Sequence, residues 1–148
     1  MLDQIVVGCV LVATTSTIQA AFMLSGFGAL QALRTHERRF ARHHATMIIT
    51  LFVLYMFVAM IVQVWVWAAV YVWIGAIGAF SDALYISTAT STTIGFGDAT
   101  VAPEWRLLLG FEGANGMIIF GWATALIIAP IQHCDVWPRP RPHTNRGD

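Results

Sequence analysis

The chain has 148 residues, 57% of them apolar and 11% charged, with eight basic side chains balanced by eight acidic ones. That length suits one domain, and so few charges exclude an ordinary water-soluble globule. Zero net charge gives no electrostatic footprint for a nucleic-acid partner. The two cysteines, Cys9 and Cys134, are isolated, fit neither a disulfide framework nor a metal-ligand spacing, and read as apolar fillers.

The first element is the uncharged run 5–33, longer than the roughly 20 residues that span a hydrocarbon core. A secretory signal is the alternative, but no basic residue precedes the run, and it outlasts the ~7–15-residue apolar region of such a signal. The link "RTHERRFARHH" follows, with Arg34, Arg38, Arg39 and Arg42 against Glu37. A second uncharged run covers 47–77, and a third, 107–132, carries only Glu112. The pattern predicts an all-α membrane protein with three transmembrane helices: residues 1–33, 47–77 and 105–132.

Charge asymmetry orients them. The link 34–46 and the tail 133–148, which adds Arg139, Arg141 and Arg146, hold nearly all the arginines, and the positive-inside rule places both in the cytoplasm. The N-terminus and the region between the second and third spans then lie outside, the latter with Asp82, Asp98 and Glu104 against Arg106. Trp65, Trp67, Tyr71 and Trp73 crowd the outer end of the second span, with Trp105 at the outer start of the third and Trp137 at the inner edge. No arginine sits within a span, so the chain has no voltage-sensing helix. The expected location is the cell (inner or plasma) membrane.

Between the second and third spans, "SDALYISTATST" (81–92) reads as a short helix, with Ser81 as N-cap and Asp82 in the first turn. It covers about 16 Å, too little to cross, so it enters from outside and turns back. Backbone at that depth needs internal hydrogen bonds or a water-filled cavity bounded by protein. The next residues are "TTIGFGD". An extended strand normally alternates its carbonyls; turning them all one way requires every second residue to be left-handed, which glycine adopts without steric penalty, and Gly95 and Gly97 stand at alternate positions. One such strand offers too few oxygens to replace an ion's water shell, whereas four around an axis make a cage. The short helix aims its negative end at the same axis, favouring a cation there.

On these residues the chain resembles the potassium channel family, in which the carbonyls of such loops form the selectivity filter. Here Ile94 stands for the usual valine and Phe96 for the usual tyrosine. The resemblance covers about 81–130, with the second span as outer helix, so that residues 47–132 form a pore module; the first span is additional. It implies a fourfold homotetramer in the lipid bilayer whose filter, Thr93, Ile94, Gly95, Phe96 and Gly97, binds permeant K+ through Thr93, Ile94, Gly95 and Phe96. Asp98 rings the outer mouth, Thr92 and Glu112 support the filter, and no bound cofactor is implied. Two struts common in the family are missing. Phe96 lacks the tyrosine hydroxyl, with Ile86 where an aromatic partner often lies and Tyr85 beside it; Ala89 replaces a carboxylate that some members pair with the outer aspartate.

Aligned on the family, Met117, Phe120, Thr124 and Ile128 line an inner cavity, although a lipid-facing or core face has the same spacing. Gly116 matches a bending position; Gly110, Gly113 and Gly121 read as close-packing positions. Pro130 either kinks the helix near a cytoplasmic gate or ends it. Glu112, the only charge within a span, must be paired, hydrated or protonated; its expected partners are pore-helix hydroxyls such as Ser87 or Thr90, with Asn115 sharing the bond. His36, His43, His44 and His133 fall at the inner face, as interfacial polar residues or as sensors of cytoplasmic pH. The expected function is passive, K+-selective conduction by a homotetramer, with no chemistry. A nonselective cation channel and a non-conducting scaffold or regulatory subunit are the alternatives; no arrangement in the spans suits an enzyme.

Overall fold

Among the described residues, which in this computed structural model are 1–34, 42–97 and 101–128, the backbone forms four α-helices, one 3-10 turn and no strand. The helices are α1 (Leu2–Arg34), α2 (Arg42–Trp73), α3 (Phe80–Ser91) and α4 (Leu107–Leu126), with the 3-10 turn Pro103–Trp105 leading into α4. Most of the basic link, Pro130 and the tail lie outside the described residues, and so do Asp98, His36, His133 and Cys134.

α1 and α2 are long and apolar enough to cross a membrane, over Leu2–Ala32 and Thr46–Trp73, as a multi-pass membrane protein requires. The hydroxyls in α1 do not break this apolar character. Thr14, Thr17 and Ser25 each donate to the carbonyl four residues back, at 2.8, 2.8 and 2.7 Å, so their polarity is satisfied within the helix. The third expected span differs. α4 has 20 residues, about 30 Å, and carries Glu112 and Asn115, both buried within the protein.

α2 ends at Trp73, before the expected boundary at Ile77. Gly75 takes φ +73°, its N–H donates to Val72 O at 3.1 Å, and the N–H of Ala76 donates to Tyr71 O at 2.9 Å. This pair of bonds is a Schellman stop, which glycine makes without a Cβ penalty. The freed residues Ala76 and Ile77 then enter the core. α3 likewise starts one residue early. Ala79, with φ −115° and ψ 138°, is the N-cap and makes no side-chain cap bond. Ser81 is not the cap: the bond from Ala83 N to Ala79 O (3.0 Å) closes the first turn ahead of it, and Phe80 packs edge-on against Trp65, ring centroids 5.7 Å apart.

α3 lies between α2 and α4, and α1 packs on α2 and α4. α1 and α2 are antiparallel: Ser25 meets Tyr55 and Gln19 meets Gln63. α1 and α4 run the same way, since Gly8 faces Phe111 and Thr15 meets Asn115. The main core, around Trp67, Tyr71, Ile86 and Leu108, sits beside α3; a smaller one joins Leu30, Phe52, Met56 and Leu126 at the other end. Large apolar side chains such as Leu24, Leu51, Leu54 and Phe57 remain exposed.

Candidate ion pathway

α3 descends alongside α4. Ser87 is bonded to Glu112, Thr90 lies over Gly113, and Ser91 touches Gly116, the tenth of the 20 residues of α4. The chain then returns: Ala102 N donates to Ala76 O at 3.1 Å, beside the end of α2, and Val101 is buried there. The described residues 80–97 thus reach half way along α4, and by 101–105 the chain is back beside the end of α2.

The descent depends on Gly116. A Cβ there would collide with the carbonyl oxygen of Ser91 and stand 2.9 Å from its carbonyl carbon, so no other residue allows the end of α3 to reach the α4 backbone. α4 continues as one helix through this point, and the glycine there serves close approach. Gly110 and Gly121, expected as packing positions, meet nothing within 4 Å among the described residues of the single chain.

At the end of α3 the hydroxyls of Thr88 and Thr92 donate to Leu84 O and Thr88 O, each at 2.7 Å. Thr92 therefore caps its own helix. Thr93 N donates to Thr90 O at 2.9 Å and Gly95 N to Ala89 O at 3.0 Å. These bonds hold the next segment close beneath the helix terminus, where the aligned peptide dipoles leave partial negative charge. Residues 94–96 have no regular structure. Positive φ recurs at every second position: Thr93 at 62°, Gly95 at 50° and Gly97 at 74°. The glycines were legible in the sequence; Thr93 was not. A β-branched residue rarely adopts this region, at a cost of about 1–3 kcal/mol, and nothing in its side chain signals it.

All five residues from Thr93 to Gly97 are exposed in the single chain. With Tyr85, Ala89, Thr90 and Gly110, four of them (Thr93, Gly95, Phe96 and Gly97) line an open groove of about 390 Å³. Phe96 lies flat against Tyr85, with ring centroids 6.3 Å apart and planes 7° from parallel. Ile86 also lines this groove and is buried in the main core.

Behind α3, Glu112 is fully buried. Its Oε2 accepts from Tyr71 OH at 2.7 Å and its Oε1 from Ser87 Oγ, so one carboxyl group ties α2, α3 and α4 together. Ser87 is the partner expected from the sequence; Tyr71, 41 positions away, was missed because only the packing of α2 and α4 about α3 brings it near. Asn115 does not share this bond. Its Nδ2 donates to Thr15 of α1 at 2.9 Å, because it lies on the α1 side of α4. Met117, Phe120, Thr124 and Ile128 are all exposed in the single chain, and the Thr124 hydroxyl donates to Phe120 O at 2.8 Å. Among the described residues no group of three His, Cys, Asp or Glu side chains is placed to hold a metal ion.

A family model described as "Ion channel" matches residues 59–133, half of the chain. The chain belongs to the ion channel family. The matched region takes in the last 15 of the 32 residues of α2, all of α3 and α4 and the segment between them, and leaves out α1. No curated protein and no solved structure matches the chain. Ion channels move ions without making or breaking covalent bonds, so this channel-family protein is not an enzyme.

Proposed function

We propose that the protein is a homotetrameric potassium channel that passes K+ down its electrochemical gradient through a filter built from residues 93–97. The observation that carries this reading is the alternation of left-handed backbone at Thr93, Gly95 and Gly97 directly after the C-terminus of α3. Such alternation turns successive carbonyls toward one side, and a cage of these oxygens from four chains replaces the water shell of a cation. Thr93 contributes its hydroxyl and carbonyl, and Ile94, Gly95 and Phe96 contribute carbonyls. Gly97 and Asp98 shape the outer mouth.

The exposure of the segment in a single chain, and the groove beside it, fit a site that only neighbouring copies complete. In this assembly Met117, Phe120, Thr124 and Ile128 face an inner cavity, Glu112 and Thr92 brace the filter through α3, and a gate lies toward Pro130. The N-terminus is outside and the arginine-rich segments are cytoplasmic.

Ion uptake into liposomes containing the purified protein tests the proposal, with potassium and then sodium as the only permeant cation. Uptake of potassium with little sodium is expected, and Gly95→Ala, which forces a side chain into left-handed backbone, should abolish it. Equal uptake of both ions would identify a nonselective pore. No uptake across a range of internal pH would favour a scaffold.

A further inference from the structure

Below the Glu112 tie, where α1, α2 and α4 meet, the interior is polar. Gln63 Nε2 donates to Gln19 Oε1 at 2.8 Å. Asn115 Nδ2 donates to Thr15 Oγ1, and the Thr15 hydroxyl donates to Leu11 O at 2.8 Å. All four polar side chains are buried, Asn115 at 3% exposure and Trp67 beside them at 2%. These bonds leave three buried polar atoms without a partner among the described residues: Gln19 Nε2, the indole Nε1 of Trp67 and the Oδ1 of Asn115. Buried polar atoms of this kind are nearly always paired, with protein or with ordered water.

Trp67 and Asn115 line the same cavity, of about 20 Å³, together with Gln63, Ser91, Glu112 and Gly116. A cavity needs roughly 10–15 Å³ and two to four polar partners to hold one water. The chemistry of the wall narrows the occupant further. Trp67 is a donor only, and the free atom of Asn115 is an acceptor only. A cation would be repelled by the indole N–H, an anion by the amide oxygen, and an alkyl group would satisfy neither. The occupant must accept from one side and donate to the other within the volume of a single small molecule.

We propose that this cavity holds one ordered water molecule, which accepts from Trp67 Nε1–H and donates to Asn115 Oδ1. Its second proton has the Glu112 carboxylate on the same wall, which keeps lone pairs beyond those used by Tyr71 and Ser87. The water joins two hydrogen-bonded sets that are otherwise separate: Thr15–Asn115 on the α1 side and Tyr71–Glu112–Ser87 behind α3. It is a structural ligand of the single chain and is independent of which ion the protein passes.

The test is cryo-electron microscopy of the full chain in lipid nanodiscs, at a resolution that shows ordered water. A density peak within hydrogen-bonding distance of both Trp67 Nε1 and Asn115 Oδ1 is expected, and Trp67→Phe should remove it. An empty cavity, a side chain turned into it, or a peak surrounded only by oxygen atoms would overturn the proposal. Should Trp67→Phe fail to fold, NMR of the wild-type chain with 15N-labelled tryptophan decides instead. Transfer of magnetisation from a long-lived water to the Trp67 indole proton supports the site; its absence refutes it.

Discussion

Glu112→Leu and Glu112→Gln should separate sharply in stability, because the two hydroxyls that meet this carboxylate are not equally dependent on it. Ser87 Oγ lies 3.1 Å from Val64 O as well as beside Glu112, so its proton has a second acceptor. Tyr71 OH is bonded to Glu112 Oε2 and its residue is fully buried. In Glu112→Leu the Ser87 hydroxyl turns to Val64, and the phenol is stranded at a cost of about 1–3 kcal/mol. In Glu112→Gln the side-chain oxygen still accepts from Tyr71, while the new amide donates to Ser87 Oγ as that hydroxyl turns to Val64. The bond count is kept, and the cost should stay below about 1 kcal/mol. Adding Tyr71→Phe to Glu112→Leu deletes the stranded group and should recover most of the loss, since replacing both partners by apolar groups is close to neutral. Thermal unfolding of the purified proteins in one detergent, followed by tryptophan fluorescence, gives the order. The reasoning fails if Glu112→Gln melts as low as Glu112→Leu, or if Tyr71→Phe brings no recovery in the leucine background.

Three further substitutions probe the seat of α3 and the segment after it. Gly116→Ala sets a methyl group against the Ser91 carbonyl, where both sides are backbone and neither yields; overpacking of this kind costs about 1–3 kcal/mol. It should lower the unfolding temperature and the potassium flux together, whereas Gly121→Ala, which meets nothing within 4 Å among the described residues, should change neither. Tyr85→Ala removes the ring stacked on Phe96, a contact worth about 0.5–1.5 kcal/mol. Single-channel recording should then show shorter bursts of opening; unchanged bursts would mean that the stack gives the segment no support.

What could be read from the sequence follows the range of the forces involved. The long apolar runs, the short helix after them and the left-handed demand on Gly95 and Gly97 are local properties, written in neighbouring residues. The stop of α2 is local too: Gly75 followed by Ala76 carries the Schellman signal, but the unbroken apolar run to Ile77 masked it. The Ser81 cap failed because a good capping residue does not set the helix start when the backbone closes its first turn ahead of it. The pairings of Tyr71 with Glu112, Thr15 with Asn115 and Gln19 with Gln63 span 41, 100 and 44 positions. Each depends on which faces of two helices meet, and an apolar span gives little periodic contrast from which to read its faces. The left-handed Thr93 belongs to a third kind. Its conformation is imposed by the bonds that flank it, against its own preference.

The placement of α1 bears on where the channel domain physically ends. The region that marks the family begins at residue 59, part-way along α2, yet two of its buried polar side chains find their partners outside it. Gln63 is met by Gln19 and Asn115 by Thr15, both on a helix that the family pattern omits. In lipid, where no solvent stands in for a missing partner, a fragment trimmed to the family boundary would turn two amides toward hydrocarbon. A unit that keeps both partners therefore includes the part of α1 that carries Thr15 and Gln19. α1 belongs to the domain by chemistry even though it lies outside the domain by descent of sequence, and any dissection of this protein has to carry it along or replace those amides with apolar residues.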